Sequence, residues 1–89
     1  MVIWKYPLDL VDEQCLHLPK GAKLLTVQVQ DDDPQLWALC DELQPENERR
    51  WFGMYGTGNP MPSDPGSYIG TVQLRGGMLV FHFFEKGTV

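Results

Sequence analysis

The residues whose types could bind or transform a ligand are concentrated between Arg49 and Phe84. This stretch holds seven of the ten aromatic residues and three of the seven Lys and Arg side chains. It also contains Gly56-Thr57-Gly58 and Gly70-Thr71, where glycine lets backbone N–H groups approach an anion and threonine adds a hydroxyl. The spacing is not that of a P-loop, which needs Gly-x-x-x-x-Gly-Lys before a helix. For Gly70, a bulge or a close packing contact is the favoured alternative.

Arginine and aromatic side chains could complete an anion site in the same stretch. Arginine can bind a phosphate through two parallel hydrogen bonds. Arg49 and Arg50 are adjacent in a predicted strand, so they point to opposite faces, and one of them is expected to pair with a nearby glutamate. Tyr and Trp rings could stack on a nucleobase, although in so small a domain aromatic rings more often belong to the core.

Catalytic and metal-binding patterns are weak in this sequence. His82 lies between Phe81 and Phe83, where we expect a buried, neutral and hydrogen-bonded imidazole. His17 has no zinc-ligand spacing with Cys15 or Cys40, and no Ser-His-Asp order or nucleophile elbow stands out. We therefore predict a protein that is not an enzyme, with no metal site and no cofactor.

Charge is unevenly distributed along the chain. The formal net charge is −5, which argues against general nucleic-acid binding. Residues 1–48 carry ten acidic and three basic side chains (−7), whereas residues 49–89 carry two acidic and four basic ones (+2). An anionic small molecule is therefore expected at the second half, and a basic protein partner at the first half.

Length and composition indicate a single domain spanning residues 1–89. A chain of this size buries only about 60–65 % of its unfolded surface, so a homo-oligomer would supply additional burial. No apolar run approaches the roughly 18 residues of a membrane span, and the N-terminus does not resemble a signal peptide. We predict no membrane association, a cytosolic location, and two cysteines that stay as buried or half-buried thiols.

Alternating apolar and polar residues predict an all-β fold, a small barrel or sandwich of about six mainly antiparallel strands. Leu25, Val27 and Val29 are expected to line one face of their strand. Residues 35–43 could be a strand or a helix, and we favour a strand because the preceding loop is short. The predicted strand segments are Val2–Leu10, Gln14–Leu18, Ala22–Gln30, Gln35–Glu42, Arg49–Thr57, Tyr68–Leu74 and Met78–Glu85.

Two strands have features that fix their place in the sheet. Pro7 cannot donate to a ladder, so the first strand is expected at an edge or to end there. The last strand is apolar on both faces, with Val80, His82 and Phe84 on one side, so it is expected at the centre of a sheet or beneath an oligomer contact. Between them, residues 58–67 contain three prolines and two glycines and predict an ordered binding loop.

We expect Arg49–Thr57 to pair antiparallel with Tyr68–Leu74 across that loop. Such a hairpin would gather backbone N–H groups, threonine hydroxyls and a tyrosine face near the mouth of the loop, as a phosphorylated base requires. Arg50 lies further along the strand and would join only across the sheet or from a neighbouring subunit. The predicted ligand-binding residues are Arg50, Tyr55, Thr57, Gly58, Tyr68 and Thr71.

Six segments spread over nearly the whole chain jointly resemble a family of small uncharacterised proteins from tailed-phage genomes. The resemblance supplies no catalytic motif, but it implies a phage origin and a location in the host cytoplasm. The segments are Ile-Trp-Lys-Tyr-Pro-Leu (3–8), Leu-Pro-Lys-Gly-Ala (18–22), Gln-Leu-Trp-Ala (35–38), Gly-Thr-Gly (56–58), Tyr-Ile-Gly-Thr (68–71) and Val-Phe-His-Phe-Phe-Glu (80–85).

A phage origin favours an anti-defence function. Some oligomeric phage proteins sequester nucleotide immune signals, and a single domain with a locally basic, Gly/Thr/aromatic half would suit such a sponge. The expected ligand is a cyclic nucleotide or an ADP-ribose derivative. The alternatives are an acidic interaction module that inhibits a host protein through residues 31–48, and a minor virion accessory protein.

Overall fold

A computed structural model of the chain describes residues 1–87 and contains seven strands joined by short connections. One turn of 3₁₀ helix at Arg75–Gly77 lies between the last two strands. The strands are β1 Val2–Pro7, β2 Glu13–Leu18, β3 Lys23–Gln30, β4 Asp33–Cys40, β5 Glu48–Gly56, β6 Ser67–Leu74 and β7 Leu79–Glu85.

The strands form two antiparallel sheets, a three-stranded sheet in the order β1-β4-β3 and a four-stranded sheet in the order β2-β5-β7-β6. Neither sheet closes into a barrel within residues 1–87, so the fold is sandwich-like, and the all-β prediction is confirmed. β1 is an edge strand, as Pro7 predicted, and β7 is an interior strand, as its two apolar faces predicted. No helix in the same residues is long and apolar enough to cross a bilayer.

Residues 33–40 form a strand, and the helical alternative for this segment is wrong. The alternate residues Pro34, Leu36, Ala38 and Cys40 are all buried and point into the space between the sheets. A two-residue turn at Asp31-Asp32 joins β3 to β4, and both residues have positive φ (53° and 62°), as a type I′ hairpin requires. The short loop thus places residues 33–40 antiparallel beside β3, where a strand can form the hydrogen-bonded ladder and a helix cannot.

The predicted apolar face of β3 is only partly correct. Val27 is buried, but Leu25 and Val29 are 43 % and 37 % exposed. The register with β4 shifts between Leu24 and Thr26, so Leu25 is the extra residue of a β-bulge. The bulge changes the side on which Leu25 emerges, and Leu24 packs against the core in its place.

The two sheets meet most closely where β3 packs against β6. A Cβ atom added to Gly70 would lie 2.9 Å from Val27 Cβ and 3.1 Å from the Val27 backbone nitrogen and oxygen. Gly70 therefore permits backbone-to-backbone approach between the sheets, and the structural interpretation of this glycine is confirmed. Beneath this contact the core is filled mainly by Leu18, Leu36, Phe52 and Phe83, none of which is exposed.

Tyr6 anchors the rim of the smaller sheet to the acidic loop that follows β4. Its hydroxyl donates to Glu46 Oε1 (2.7 Å) and lies 4.0 Å from Cys40 Sγ. Burial raises the pKa of the Tyr6 phenol well above its ordinary value, and the hydrogen bond to Glu46 raises it further. The folded protein therefore binds this proton more tightly than the unfolded chain does.

Replacing Gly70 by Ala should destabilise the protein by about 1–3 kcal/mol, because the new methyl group must push β3 and β6 apart. Urea unfolding followed by tryptophan fluorescence measures the change. Gly87→Ala is the matched control, since an added Cβ there meets nothing within 4 Å, and it should be silent. Equal unfolding midpoints for the two variants would show that the close approach has no energetic consequence.

Above pH 10 the wild type should lose stability relative to Tyr6→Phe. The pKa of Tyr6 is raised in the folded state, so its contribution is complete below the ordinary tyrosine pKa of 10.0 and declines as the pH rises past that value. The measurement is the difference in free energy of unfolding between wild type and Tyr6→Phe at pH 8 and pH 10.5. A difference that is constant or grows with pH would contradict the raised pKa.

Candidate functional site

The solvent-facing side of the larger sheet carries a cluster of aromatic and polar residues. We call this surface the aromatic face and define it by Trp51 and Tyr55 on β5, Tyr68 and Thr71 on β6, and His82 and Phe84 on β7. In the register, Tyr55 and Thr71 flank His82 on its two sides, and Tyr68 lies opposite Phe84. No strand of residues 1–87 covers this side, because the smaller sheet packs on the opposite one.

Four predicted site residues converge on this face, although the strand pairing that was expected to unite them is wrong. β5 does not pair with β6, because β7 lies between them and pairs with both. Tyr55 and Thr57 therefore approach from one side of β7, and Tyr68 and Thr71 from the other. The 58–67 loop spans the width of β7 and does not close a simple hairpin.

His82 connects the two sides through hydrogen bonds. Its Nε2 lies 2.6 Å from Thr57 Oγ1, and its Nδ1 lies 2.8 Å from Thr71 Oγ1. Thr71 Oγ1 lies in turn 2.6 Å from the Tyr68 hydroxyl. His82 is hydrogen-bonded as expected, but it is half-buried on the solvent side of the sheet and not in the core. Both imidazole nitrogens are occupied, so the ring positions the hydroxyls and has no free nitrogen for a ligand.

The rings of the aromatic face are arranged around Phe84. Tyr55 and Tyr68 contact it edge to face, with centroid separations of 5.8 Å and 5.5 Å. Gly53, opposite Phe84 in the register, leaves room for Tyr55, since a Cβ at this position would lie 2.9 Å from the Tyr55 hydroxyl. Tyr68 stays 59 % exposed, so its ring is available to a ligand.

Arg50 does not join this cluster. It points to the inner side of β5, in line with the buried Phe52, and forms a two-point ion pair with Glu85 (Nε to Oε2 2.6 Å, Nη2 to Oε1 2.9 Å). Nη1 donates to the Ala22 carbonyl oxygen, and Glu48 lies 3.8 Å away. The hydrogen bonds to Glu85 raise the pKa of the Arg50 guanidinium, although burial opposes this effect. The guanidinium is thus satisfied by the protein itself.

Arg49 is the arginine that lies beside the aromatic face. It is exposed and precedes Trp51 by two positions, so the two side chains emerge on the same side of β5. Within the part of the chain that the structure describes, Arg49 forms no salt bridge or side-chain hydrogen bond. The opposite orientation of the two arginines was predicted correctly, but the free one is Arg49.

Gly58 has a conformational role beside the cluster. It lies at the third position of the turn closed by the hydrogen bond from Asn59 N to Gly56 O (3.1 Å), with φ of +85°. This geometry requires positive φ, which glycine adopts without strain. Gly58 therefore orients Thr57 but offers no side chain of its own.

An open cleft lies at the far end of the sheets from His82. Its volume is about 820 Å³, and Arg49, Arg50, Trp51 and Glu85 contribute to its walls. Arg50 and Glu85 line it with groups that are already bonded to each other. Arg49 and Trp51 form the border between this cleft and the aromatic face, so a ligand that bridges the two would contact both residues.

Arg49, Trp51, His82 and Phe84 are absent from the ligand-binding residues that the sequence analysis selected, and the two residues of β7 were missed for a shared reason. The alternation of Val80, His82 and Phe84 did place them on one face. The neighbouring phenylalanines suggested burial, because a strand that is covered on both faces and a strand in the middle of a sheet with one uncovered face can have the same apolar pattern. The structure distinguishes these two cases, since the smaller sheet covers only one side of the larger sheet.

The two arginines should differ sharply in their effect on stability. Arg50→Ala should lower the free energy of unfolding by about 1.5–3 kcal/mol, because it removes charged hydrogen bonds and leaves Glu85 without its partner. Arg49→Ala should change it by less than about 0.5 kcal/mol, as expected for an exposed substitution. Chemical denaturation measures both. Equal losses would contradict the different roles assigned to them.

No curated protein and no solved structure matches the chain. A family model for a domain of unknown function, DUF7352, matches residues 1–88. Since this match spans nearly the entire sequence, the chain belongs to the DUF7352 family.

Proposed function

We propose that the protein is a non-enzymatic binding protein that takes a nucleotide-derived anion on its aromatic face. One observation carries the proposal: Arg49 and Trp51 emerge side by side from β5, Trp51 is 42 % exposed, and Arg49 has no ion-pair partner among residues 1–87. An unpaired guanidinium beside an exposed ring is the combination that recognises a phosphate and its attached base.

The spacing of the exposed rings favours a ligand with two planar groups. Trp51 lies on β5 and Tyr68 on β6, two strands away. Two strand spacings across the sheet, combined with an offset of two residues along β5, correspond to about 12 Å. Cyclic dinucleotides and ADP-ribose derivatives have lengths of this order, with anionic phosphates between or beside their rings.

Thr57 is the hydroxyl of the His82 cluster with the most unused hydrogen-bonding capacity, but it lies about 20 Å along β5 from Trp51, so it could contact only a part of the ligand that lies over His82. A threonine hydroxyl has one donor hydrogen and two acceptor lone pairs. Thr71 uses its hydroxyl oxygen twice, with His82 and Tyr68, whereas the hydroxyl of the exposed Thr57 bonds only to His82 in the described part of the chain. Thr57 thus keeps capacity for a ligand oxygen.

The resemblance to tailed-phage proteins supplies the biological context of this proposal. The protein would act in the host cytoplasm as an anti-defence sponge that sequesters a nucleotide immune signal. Sequestration needs binding without turnover, and His82, with both ring nitrogens bonded to threonines, is arranged for positioning. The features that support this role are the exposed rings and the arginine without an ion-pair partner among residues 1–87.

The second candidate is inhibition of a basic host protein by the acidic half of the chain. The observation in its favour is the hairpin tip, where the exposed residues Asp31, Asp32 and Asp33 are contiguous and the first two have positive φ. Asp32 Oδ1 accepts a hydrogen bond from Arg75 N (3.1 Å), which ties the tip to the 3₁₀ turn. A rigid acidic tip suits a docking element.

Calorimetric titration with a cyclic dinucleotide and with ADP-ribose tests the proposal. Arg49→Ala should weaken binding roughly tenfold to a hundredfold, because one charge-assisted contact is lost. Tyr68→Ala should weaken it by a similar factor, through the loss of about 1–3 kcal/mol of stacking. Lys23→Ala is the matched control, since it removes an exposed cation from the other sheet and should leave the affinity unchanged.

Two outcomes would overturn the assignment. Wild-type binding that survives both substitutions would move the site away from the aromatic face. Absence of binding by the wild type, together with loss of biological activity on charge reversal of Asp31, Asp32 and Asp33, would favour the acidic interaction module. Circular dichroism of each variant ensures that the fold is retained.

A further inference from the structure

The four edge strands of the two sheets differ in how they are protected against pairing with another chain. β3 and β6 each contain a bulge and pack against each other. β1 carries Lys5 and ends in Pro7, two residues that discourage strand addition. β2 has neither lysine nor proline, and its register with β5 is continuous from Glu13 to Leu18. β2 is therefore the unprotected edge.

The direction of the free hydrogen-bonding groups of β2 follows from its pairing with β5. Met54 N donates to Asp12 O (3.0 Å), and these two residues continue the register in which Glu13 lies opposite Gly53. Hydrogen-bonded and non-hydrogen-bonded pairs alternate in an antiparallel ladder. The even-numbered residues of β2 thus bond to β5, whereas the N–H and C=O groups of Glu13, Cys15 and His17 point away from the sheet.

We propose that β2 is the homodimer interface, where it pairs antiparallel with β2 of a second copy about a two-fold axis. In the register centred on Cys15, Cys15 lies opposite Cys15 of the second copy, and Glu13 lies opposite His17. All three outward-pointing residues are then hydrogen-bonded pairs, so the edge is satisfied from Glu13 to His17. The product is a continuous eight-stranded sheet.

Side-chain pairing and the position of Pro19 distinguish this register from the one centred on Leu16. Opposed residues of an antiparallel pair lie on the same face of the sheet. The possible registers therefore differ by moving the two-fold axis one residue at a time along β2. In the Cys15-centred register Glu13, whose Oε2 already pairs with Lys86 Nζ of its own chain (3.0 Å), lies opposite His17 of the other copy, where its second carboxylate oxygen can accept a hydrogen bond from the imidazole. Moving the axis to Leu16 would place Pro19 opposite Glu13, and proline cannot donate to the ladder.

The proposed pairing of β2 does not depend on the ligand proposed above, but it would join the aromatic faces of the two copies. Cys15 and Trp51 are opposed in the register of β2 and β5, so Trp51 lies one strand from the two-fold axis. The two copies of Trp51 would be separated by three strand spacings, about 14 Å. The exposed rings of both copies would thus lie on one continuous surface.

Cysteine cross-linking tests the register directly. Opposed residues of a hydrogen-bonded antiparallel pair have Cα atoms about 5.5 Å apart, which is within the range of a disulfide. Treatment with diamide, which accepts the two electrons and two protons released by the thiols, should convert the wild type to a covalent dimer. Cys40 is buried and should not contribute, so Cys40→Ala should cross-link equally well and Cys15→Ala should not.

The control for random collision is the double substitution Cys15→Ala with His17→Cys. The new thiol is on the same face and more exposed, but in this register the two copies would be about 13 Å apart, and no rapid cross-link should form. Cross-linking of this variant at the wild-type rate would overturn the proposed register. The proposed register would also be overturned if Cys15 cross-linked equally fast at protein concentrations at which the chain is a monomer.

Sedimentation measures the interface without any covalent bond. The wild type should sediment as a dimer at micromolar concentration, and Cys15→Pro as a monomer, because proline removes an N–H that points outward and leaves the bonds to β5 intact. A monomeric wild type, or a dimer that persists in a folded Cys15→Pro variant, would refute the β2 interface. Neither result depends on nucleotide binding.

Discussion

Pairing of β7 on both of its sides is the interaction on which the rest of this structure depends. β5 and β6 are not hydrogen-bonded to each other, so β7 alone joins them into one sheet. Its inner residues place Phe83 in the core and Glu85 against Arg50, and its outer residues place His82 and Phe84 among the tyrosines. One strand thus supplies the centre of the core, the main ion pair and the centre of the candidate site.

The sequence analysis predicted the class of fold because period-two alternation is a local property. The strand at residues 33–40 followed from the short loop that precedes it, and the edge position of β1 followed from Pro7. The alternation failed at Leu25, because a bulge shifts the phase and leaves no mark in the pattern. It also could not show that β7 inserts between β5 and β6, since pairing order depends on contacts between distant segments.

The candidate site shows the same division between local and long-range information. Tyr55, Thr57, Tyr68 and Thr71 were selected by their types, and they do converge, but on a histidine that was expected in the core. The choice between Arg49 and Arg50 could not be made from the sequence, because the two residues are chemically identical. What decides it is Glu85, which is 35 positions from Arg50 in the chain and opposite Phe52 in the sheet.

The insertion of β7 between two strands that precede it in the chain also determines how the protein can fold. The larger sheet cannot grow by adding each new strand to the last one, because β5 and β6 remain separate until β7 enters between them. Loop-closure entropy must be lost before these distant pairings give any stabilisation. Folding should therefore be slow for a domain of 89 residues.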